Sequence, residues 1–350
     1  MDKFLLDVLV DPISKTSLSL HQGTFDDSGS VRTGTLSSGN GNDHTYPIEN
    51  GIPRLVTDIT DDQLQTKESF GFKWEQTDTY DSTTWQEEAK RWLIERYGFK
   101  DEVDMKDYFE NRDLILDAGC GCGYSSFLWL KDGSTSRYIG VDISRAIDVA
   151  KKRLGMVAGR YFIQADLLNL PFDESIFDTV FSEGALHHTF STEKALKKVA
   201  GYLKPKGEFL FYVYKKKSPI REATDDYIRN IVSHLSPEEA RAQIRPLTKL
   251  GEALAELDVV INIPEDIPYL GIKSGNYDIQ RLIYWHFAKL FWNKKFSFEE
   301  NNLVNFDWYH PRYAHRQTKE EVLQWCREAG LKVVYFNEQK SGFTTRAIKE

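Results

Sequence analysis

Three glycines at alternating positions, Gly119, Gly121 and Gly123, are the residues best placed for chemistry in this chain. They follow the apolar run Leu114–Leu116 and the acidic Asp117. A buried strand that leads into a glycine turn lets the backbone come close to a ligand at the carboxyl edge of a parallel sheet, where α/β folds bind nucleotides. The pattern predicts a site for an adenosine-type cofactor; a tight strand-to-helix turn without a ligand is the alternative.

The spacing of these glycines argues against a dinucleotide. A dinucleotide loop needs Gly or Ala at its sixth position, but Tyr124 stands there counting from Gly119, and Ser126 counting from Gly121. The remaining Asp-x-Gly-x-Gly-x-Gly pattern resembles the cofactor loop of class I S-adenosylmethionine-dependent methyltransferases. The resemblance implies that the loop residues contacting S-adenosylmethionine are Asp117, Gly119, Cys120, Gly121 and Gly123.

Acidic residues also end the next two predicted strands. Tyr138–Val141 leads to Asp142, whose carboxylate can accept hydrogen bonds from both ribose hydroxyls. Tyr161–Ala165 leads to Asp166, and in the resembled family an acid at this place faces the adenine amine while its neighbour Leu167 packs on the ring. The predicted cofactor contacts at the ends of the second, third and fourth strands are Asp142, Ile143, Asp166, Leu167 and Ser182.

Strands that alternate with helical stretches predict βαβ units and a parallel sheet. Phe177–Phe181 and Glu208–Tyr214 are the fourth and fifth predicted strands, and Leu331–Phe336 and Phe343–Ile348 are two more. The resemblance to class I methyltransferases implies that these last two form a closing hairpin, antiparallel at one edge of the sheet. The predicted fold class is therefore α/β, a mostly parallel Rossmann-like class I methyltransferase sheet with an antiparallel edge hairpin. The predicted segments are a β-rich module at 1–57, a helical linker and cofactor cover at 58–112, the core at 113–214 and 317–350, and a helical lid at 215–316.

The insertion at 215–316 is too long for a loop without structure of its own, and it is rich in aromatic residues. Gln280–Trp292 is apolar almost all round, which predicts one buried helix. We interpret the insertion as a lid that covers the substrate; a packed helical cap or a homodimer interface is the alternative. The charged stretch Pro219–Arg229 predicts a helix with a solvated face and i,i+4 ion pairs.

Histidines and tyrosines supply the candidate catalytic groups. His187 and His188 follow the fourth strand, and His187 is the first choice for a base that faces the substrate, with Tyr309 and His310 second. The alternative for the His187–His188 pair is that it caps a loop. No metal site is predicted, because no Cys lies near His310 and the sequence contains no His-Glu-x-x-His motif.

The first 57 residues resemble the small zinc-ribbon-like domain of the tRNA-methyltransferase activator family. That family often carries a Cys-Pro-x-Cys pair, but Asp11 and Ser14 stand at the matching positions, so thiolate ligands for zinc are not available there. Gly23–Asp43 predicts a hairpin or loop. In the linker, Phe72 and Trp74 are predicted to shield the cofactor from water, and plain linker packing is the alternative.

Composition narrows the function classes. The 350 residues carry 45 Lys and Arg against 53 Asp and Glu, and this net charge of −8 disfavours a protein specialised for nucleic acid. Three cysteines give no disulfide framework, and no apolar run is long enough to span a membrane, so we expect a cytoplasmic protein. The predicted activity is transfer of a methyl group to an O, N or C nucleophile of a small molecule, as in the ubiquinone and menaquinone C-methylase-like group that the arrangement resembles. A peptide, protein or RNA acceptor and a non-catalytic cofactor-binding scaffold remain the alternatives.

Overall fold

A computed structural model describes residues 1–39, 44–57, 59–76, 82–131 and 134–350. The α-helices within these ranges are α1 (Lys3–Val8), α2 (Asp61–Glu75), α3 (Thr83–Tyr97), α4 (Glu102–Glu110), α5 (Tyr124–Trp129), α6 (Ala146–Leu154), α7 (Thr192–Ala200), α8 (Pro219–Val232), α9 (Pro237–Glu256), α10 (Ile279–His286), α11 (Phe298–Tyr309) and α12 (Lys319–Glu328). The strands are β1 (Leu18–Phe25), β2 (Val31–Ser38), β3 (Thr45–Glu49), β4 (Ile52–Leu55), β5 (Leu114–Ala118), β6 (Arg137–Asp142), β7 (Arg160–Ala165), β8 (Phe177–Glu183), β9 (Leu203–Tyr214), β10 (Val260–Ile263), β11 (Gly275–Asp278), β12 (Leu331–Glu338) and β13 (Gly342–Lys349).

The chain divides into two compact units. Met1–Thr60, Ala89–Tyr214 and His315–Glu350 form the sheet unit, whereas Asp61–Glu88 and Lys215–Ala314 form the helical unit. The predicted linker at 58–112 is thus shared, its first part grouping with the insertion and its second part with the sheet. Residues 58 and 77–81 of that linker, and 40–43 of the predicted Gly23–Asp43 loop, lie outside the described ranges.

The sheet unit is built on an eleven-stranded sheet with the order β1-β2-β3-β4-β7-β6-β5-β8-β9-β13-β12. The strands from β4 to β9 in this order run parallel, while β13 pairs antiparallel with both β9 and β12. All five residues of β5 are buried, as expected for a central parallel strand covered on both faces. The predicted fold class, a mostly parallel sheet with an antiparallel edge hairpin, is confirmed.

The N-terminal strands β1 to β4 are joined to this sheet through β4. β4 pairs parallel with β7 through Arg54↔Gln164 and Leu55↔Ala165. The Arg54 guanidinium forms two hydrogen bonds to the Asp148 carboxylate, of 2.6 and 3.0 Å, and one of 3.2 Å to the Gln164 side chain. The sequence correctly predicts strands in this region. A local pattern cannot predict that β4 pairs with β7, which lies about 110 residues further along the chain.

Asp11, at the position of the first metal-binding cysteine in the resembled activator family, holds a turn by hydrogen bonds. Its Oδ1 accepts from the amides of Ile13 and Ser14 at 2.8 and 2.7 Å, and its Oδ2 accepts from Tyr46 Oη and lies 3.1 Å from His44 Nδ1. Burial would raise the pKa of Asp11, but these hydrogen bonds outweigh it and lower the pKa below the usual value. A carboxylate and its donors therefore organise this turn.

In the helical unit, α8 has the predicted solvated face, with Asp226 and Tyr227 exposed, but its opposite face is buried and also carries charged residues. Arg221, Asp225 and Arg229, spaced four residues apart, are all buried, and Arg221 Nε donates to Asp225 Oδ2 at 2.6 Å. The i,i+4 pair exists, but Asp225 also accepts hydrogen bonds from Trp308 Nε1 at 2.9 Å and Tyr309 Oη at 2.8 Å. These two donors of α11 satisfy the carboxylate, and that is why the charged face can face inward.

The helix predicted over Gln280–Trp292 is shorter in the structure, where α10 ends at His286. Beyond it, the backbone amides of Lys289, Phe291 and Asn293 donate to side-chain oxygens of Asp225, Asn305 and Asn301, respectively. Each bond is 2.7 to 3.1 Å long. Amides that would continue the helix are thus taken by buried side chains of α8 and α11.

Candidate cofactor and active site

The glycine loop lies between β5 and α5. Gly119, Gly121 and Gly123 have φ angles of +82°, +54° and +70°, a region of backbone conformation that favours glycine. The amides of Gly119 and Cys120 both donate to the carbonyl of Val141, at 2.8 and 3.0 Å, which ties the loop to the neighbouring strand β6. Local conformation and sheet contact thus hold the loop at the carboxyl edge of the sheet.

Gly119 also leaves no room for a side chain. A Cβ atom at this position would overlap the Cβ of Ala185, which follows β8. The turns after β5 and β8 therefore meet closely at this glycine. The close approach of these two turns is a second reason, besides the positive φ, why a glycine stands at this position.

Asp142 joins the end of β6 to the glycine loop. Its Oδ2 accepts a hydrogen bond from the Gly121 amide at 2.9 Å, and its Oδ1 accepts from the amide and hydroxyl of Ser144 at 2.8 and 2.6 Å. Burial raises the pKa of Asp142, although these hydrogen bonds oppose the shift. Carboxylate oxygens have further lone pairs, so this group can still accept from the hydroxyls of a ribose.

Asp117 is directed into the protein. Its Oδ2 accepts from Ser126 Oγ and, at 2.9 Å, from Tyr138 Oη, and burial raises the pKa of Asp117 to about 7. The carboxyl group thus ties β5 to α5 and β6. These bonds support a role in holding the glycine loop, and direct contact of Asp117 with the cofactor stays a prediction.

The remaining predicted cofactor residues also make local contacts. Asp166 Oδ1 accepts from the Leu168 amide at 3.0 Å and so caps a short 3₁₀ helix that begins at Leu167. The buried Ser182 donates its hydroxyl to the Ala118 carbonyl at 2.8 Å, which links β8 to β5, and the carbonyl of Ile143 accepts from Gln164 Nε2 at 2.9 Å. These contacts bring the ends of β5, β6, β7 and β8 into one edge.

Cys120, which the sequence also predicts to contact the cofactor, carries a protonated thiol and not a thiolate. Burial, followed by the charge of Asp117, raises the pKa of the Cys120 thiol well above its usual value. The thiolate is the reactive form of cysteine. Cys120 therefore does not suit nucleophilic or redox chemistry at neutral pH.

His187 and His188 form a short 3₁₀ turn after β8. The His187 ring is fully buried and lies 3.7 Å from the Tyr214 ring between centroids, whereas His188 is half-buried with its ring 4.4 Å from that of His187. The His187 carbonyl accepts a hydrogen bond from the His315 amide at 2.9 Å. The packing fixes both rings, and His188 is the more open of the two.

Tyr309 and His310, the second choice for a base, are interior residues of the helical unit. Tyr309 donates to Asp225, and His310 Nδ1 lies 2.8 Å from Ser69 Oγ. Burial raises the pKa of the Tyr309 hydroxyl and lowers that of the His310 imidazole. Because both side chains are buried and bonded within the unit, their contacts indicate a structural role.

Phe72 and Trp74, the predicted cofactor shield, lie on α2 of the same unit. The Phe72 ring lies 5.5 Å from that of Phe306, and the ammonium group of Lys73 lies 4.1 Å from the Trp74 ring centroid. Their contact with a cofactor stays a prediction.

A polar group that the sequence did not single out lies at the end of β8. Glu183 accepts hydrogen bonds from Arg96 and, at 2.6 Å, from Tyr97 Oη, both on α3. The Arg96 guanidinium also lies 4.3 Å from the Tyr212 ring centroid. Like Asp142, Glu183 stands at the end of a strand. This position is the feature of the sequence that could have identified it as a candidate site residue.

Two further features of the described residues bear on the type of site. No helix among them is long and apolar enough to cross a membrane. Within the same ranges, no three His, Cys, Asp or Glu side chains lie together in a way that could hold a metal ion.

Comparison with known families identifies the class of domain that carries the glycine loop. Residues 116–211 match the family described as "Methyltransferase domain", and this stretch contains the glycine loop, Asp142 and Asp166. The chain therefore contains a class I methyltransferase domain, whose cofactor is S-adenosylmethionine. Membership of the ubiquinone-like group and the zinc-ribbon resemblance are not confirmed.

Individual relatives match only part of the chain or at low identity. "Probable tRNA methyltransferase 9B" of Bos taurus is 36% identical over 106 residues, which cover 29% of this chain and 21% of that protein. "Phthiotriol/phenolphthiotriol dimycocerosates methyltransferase 1" of Mycobacterium ulcerans is 27% identical over 130 residues, 37% of this chain and 48% of that protein. The chain thus spans between about a fifth and about half of these relatives.

A solved structure covers more of the chain. The 1,6-didemethyltoxoflavin-N1-methyltransferase of Burkholderia thailandensis, crystallised with 1,6-didemethyltoxoflavin and S-adenosylhomocysteine, has a TM-score of 0.42 and 13% identity, over 89% of this chain and 96% of that chain.

Proposed function

We propose that this protein transfers the methyl group of S-adenosylmethionine to an O, N or C nucleophile of a small molecule. The hydrogen bond between Asp142 and the Gly121 amide carries the proposal, because a carboxylate that can accept from ribose hydroxyls lies beside a glycine-rich loop at the carboxyl edge of the sheet. The family match over residues 116–211 supports the same reading.

The residues present suit this cofactor. When bound, S-adenosylmethionine supplies an electrophilic methyl group, and the acceptor bonds to its carbon while the sulfur leaves with the electron pair. Asp142 would hold the ribose, and the amides around Gly121 would border the rest of the cofactor. Catalysis then rests on alignment, since holding two reactants in line can lower a barrier by roughly 7 to 11 kcal/mol.

The cofactor is tested by calorimetric titration of the full chain with S-adenosylmethionine and, separately, with NAD. We expect micromolar binding of S-adenosylmethionine alone, and at least tenfold weaker binding by Asp142→Asn because the charge toward the ribose is lost. Asp27→Asn, which changes an exposed acid of the same unit, should bind as the unchanged protein does. Binding of NAD, or of neither compound, would contradict the proposal.

The acceptor class is tested by following a radioactive methyl group into small-molecule, protein and tRNA fractions of a cell extract. We expect label in the small-molecule fraction. Label in protein or tRNA would establish the corresponding alternative; similarity to a probable tRNA methyltransferase is the observation that favours tRNA, and the net charge of −8 opposes it. Cofactor binding without transfer to any fraction would indicate a scaffold.

We further propose that the His187–His188 turn supplies the base when the acceptor must lose a proton. His187→Ala and His188→Ala should then lower kcat by about 10² to 10⁴-fold while cofactor binding stays unchanged, since general base catalysis contributes this much. His21→Ala, at an exposed position of β1, serves as the matched control. If both variants of the turn turn over normally, the turn has only a structural role.

A further inference from the structure

A lysine of the helical unit lies almost fully buried against an indole ring. Lys289 is 7% exposed, and its Nζ lies 4.5 Å from the centroid of the Trp308 ring. Burial lowers the pKa of Lys289 to about 7. A buried ammonium group is unfavourable unless a negative charge balances it, so the groups around it matter.

Four charged side chains act most strongly on Lys289, and Lys217 of the same unit also faces it. Arg221 and Asp225 come from α8, Asp307 from α11 and Lys73 from α2. Lys73 Nζ lies 2.8 Å from Asp307 Oδ1, so this carboxylate already has a cation of its own. Lys217 brings Lys215 and the Glu222 carboxylate beside it, so the cluster as a whole holds five cations and three carboxylates.

The second carboxylate, Asp225, is also fully used. Its two oxygens accept hydrogen bonds from the Arg221 guanidinium, the Trp308 indole, the Tyr309 hydroxyl and the Lys289 backbone amide, at 2.6 to 3.1 Å. Within the ranges that the structure describes, no carboxylate oxygen lies within 4 Å of Lys289 Nζ. Among the described residues, the ammonium group thus has no close counter-ion.

A second lysine nearby also lies beside an indole ring. Lys217 Nζ lies 5.7 Å from the Trp285 ring centroid, and burial together with the charge of Arg221 lowers the pKa of Lys217 to about 7. Trp285 and Tyr284 are half-buried, with their ring centroids 4.6 Å apart. Cations beside partly open aromatic rings suit a ligand with both an apolar body and a negative charge.

We propose that the helical unit binds an organic oxyanion, a carboxylate or phosphate carried on an apolar body, with Lys289 as its main counter-ion and Lys217 as the second. The view that this oxyanion belongs to the methyl acceptor rests on the proposed function, but binding of the anion does not. An acidic acceptor would place a negative charge beside the Lys289 ammonium group.

The test measures binding of benzoate, phenyl phosphate and the neutral benzamide to the full chain at pH 6.0 by calorimetry. We expect at least one of the two acids to bind tenfold or more tightly than benzamide, and the preferred acid tells a carboxylate site from a phosphate site. Lys289→Met should weaken that binding at least tenfold. Lys249→Met, an exposed lysine on α9 of the same unit, should leave it unchanged.

The pH dependence gives an independent readout. Binding of benzoate, which stays ionised, should weaken at least tenfold from pH 6.0 to pH 8.5 because the lysines lose their protons. Lys289→Arg should reduce this pH dependence, since arginine stays charged. If Lys289→Met does not fold, Lys289→Arg still tests the role of this residue. Equal binding of acid and amide, or no effect of either Lys289 variant, would overturn the proposal. Cofactor titration is separate, so intact cofactor binding without acid binding would overturn this proposal alone.

Discussion

Gly119 is constrained twice, once by its own backbone and once by a neighbour. Its φ of +82° disfavours any side chain, and the Cβ of Ala185 occupies the space that a side chain would need. Gly184 nearby has a φ of +75° but nothing within 4 Å of the place where a Cβ would lie, so it carries the first constraint without the second. Comparing substitutions at Gly119 and Gly184 therefore separates the cost of backbone strain from the cost of steric contact.

We predict that Gly119→Ala lowers the free energy of unfolding more than Gly184→Ala does. Both changes force a non-glycine residue to a positive φ, which costs about 1 to 3 kcal/mol. Gly119→Ala must in addition push the turns after β5 and β8 apart and weaken cofactor binding. Urea denaturation and calorimetry measure the two effects, and equal losses of stability would show that the turns yield freely.

A second prediction for a single residue concerns Asp117 and the pH dependence of the free energy of unfolding. Its folded pKa of about 7 lies above the value of about 3.9 in an unfolded chain, so its favourable contribution is complete below pH 4 and is lost as the pH rises through 7. Relative to Asp117→Asn, which does not titrate, the unchanged protein should lose up to about 4 kcal/mol of stability between pH 4 and pH 8. Denaturation of both proteins across this range checks it, and parallel curves would contradict it.

At the scale of elements, α8 shows how a charged helix face becomes interior. Arg221 and Asp225 are each 1% exposed at their side chains and lie 2.6 Å apart. Burying such a pair is tolerated because α11 supplies further donors to the carboxylate. The role of α8 is therefore to hold the helical unit together around one carboxylate.

Asp225→Asn should destabilise the helical unit by about 3 to 5 kcal/mol, because Arg221 would then be a buried cation without its counter-ion. The double variant Arg221→Met with Asp225→Asn removes that cation and should be less destabilised than Asp225→Asn alone. Thermal and denaturant unfolding of the three proteins test this order. A double variant less stable than the single one would mean that Arg221 contributes mainly through its other contacts.

At the scale of the whole chain, the central sheet does not end with the methyltransferase strands. β4 adds the N-terminal antiparallel strands to the edge at β7, and Arg54 supports the junction through Asp148 of α6. Only two pairs of residues, Arg54↔Gln164 and Leu55↔Ala165, form the parallel ladder at this junction. We infer that side-chain contacts carry much of its stability.

Arg54→Ala should therefore raise the rate of amide hydrogen exchange in β1 to β4 by about tenfold or more, because charge-assisted hydrogen bonds contribute about 1.5 to 3 kcal/mol. Exchange in β5 and β8 should stay as it was. Arg32→Ala, at an exposed position of β2, is the control. Faster exchange throughout the sheet would show instead that the N-terminal strands unfold only with the core.

The sequence alone determined the parts of this protein that local rules decide. An apolar strand followed by alternating glycines predicts the turn after β5. An acid at the end of the next strand, Asp142, predicts a carboxylate beside that turn. Strand and helix periods predict the parallel sheet and the two strands of its closing hairpin. These features depend on residues close together in the chain, so their patterns survive in the sequence.

Only the tertiary structure decided which distant groups meet. It joined β4 to β7 and buried one charged face of α8. Beyond the end of α10, it gave the amides of Lys289, Phe291 and Asn293 to side chains of α8 and α11. It also directed Asp117 and Tyr309 to partners inside the protein. A carboxylate, an amide or a hydroxyl can be satisfied by many partners at any separation along the chain, and packing selects one of them.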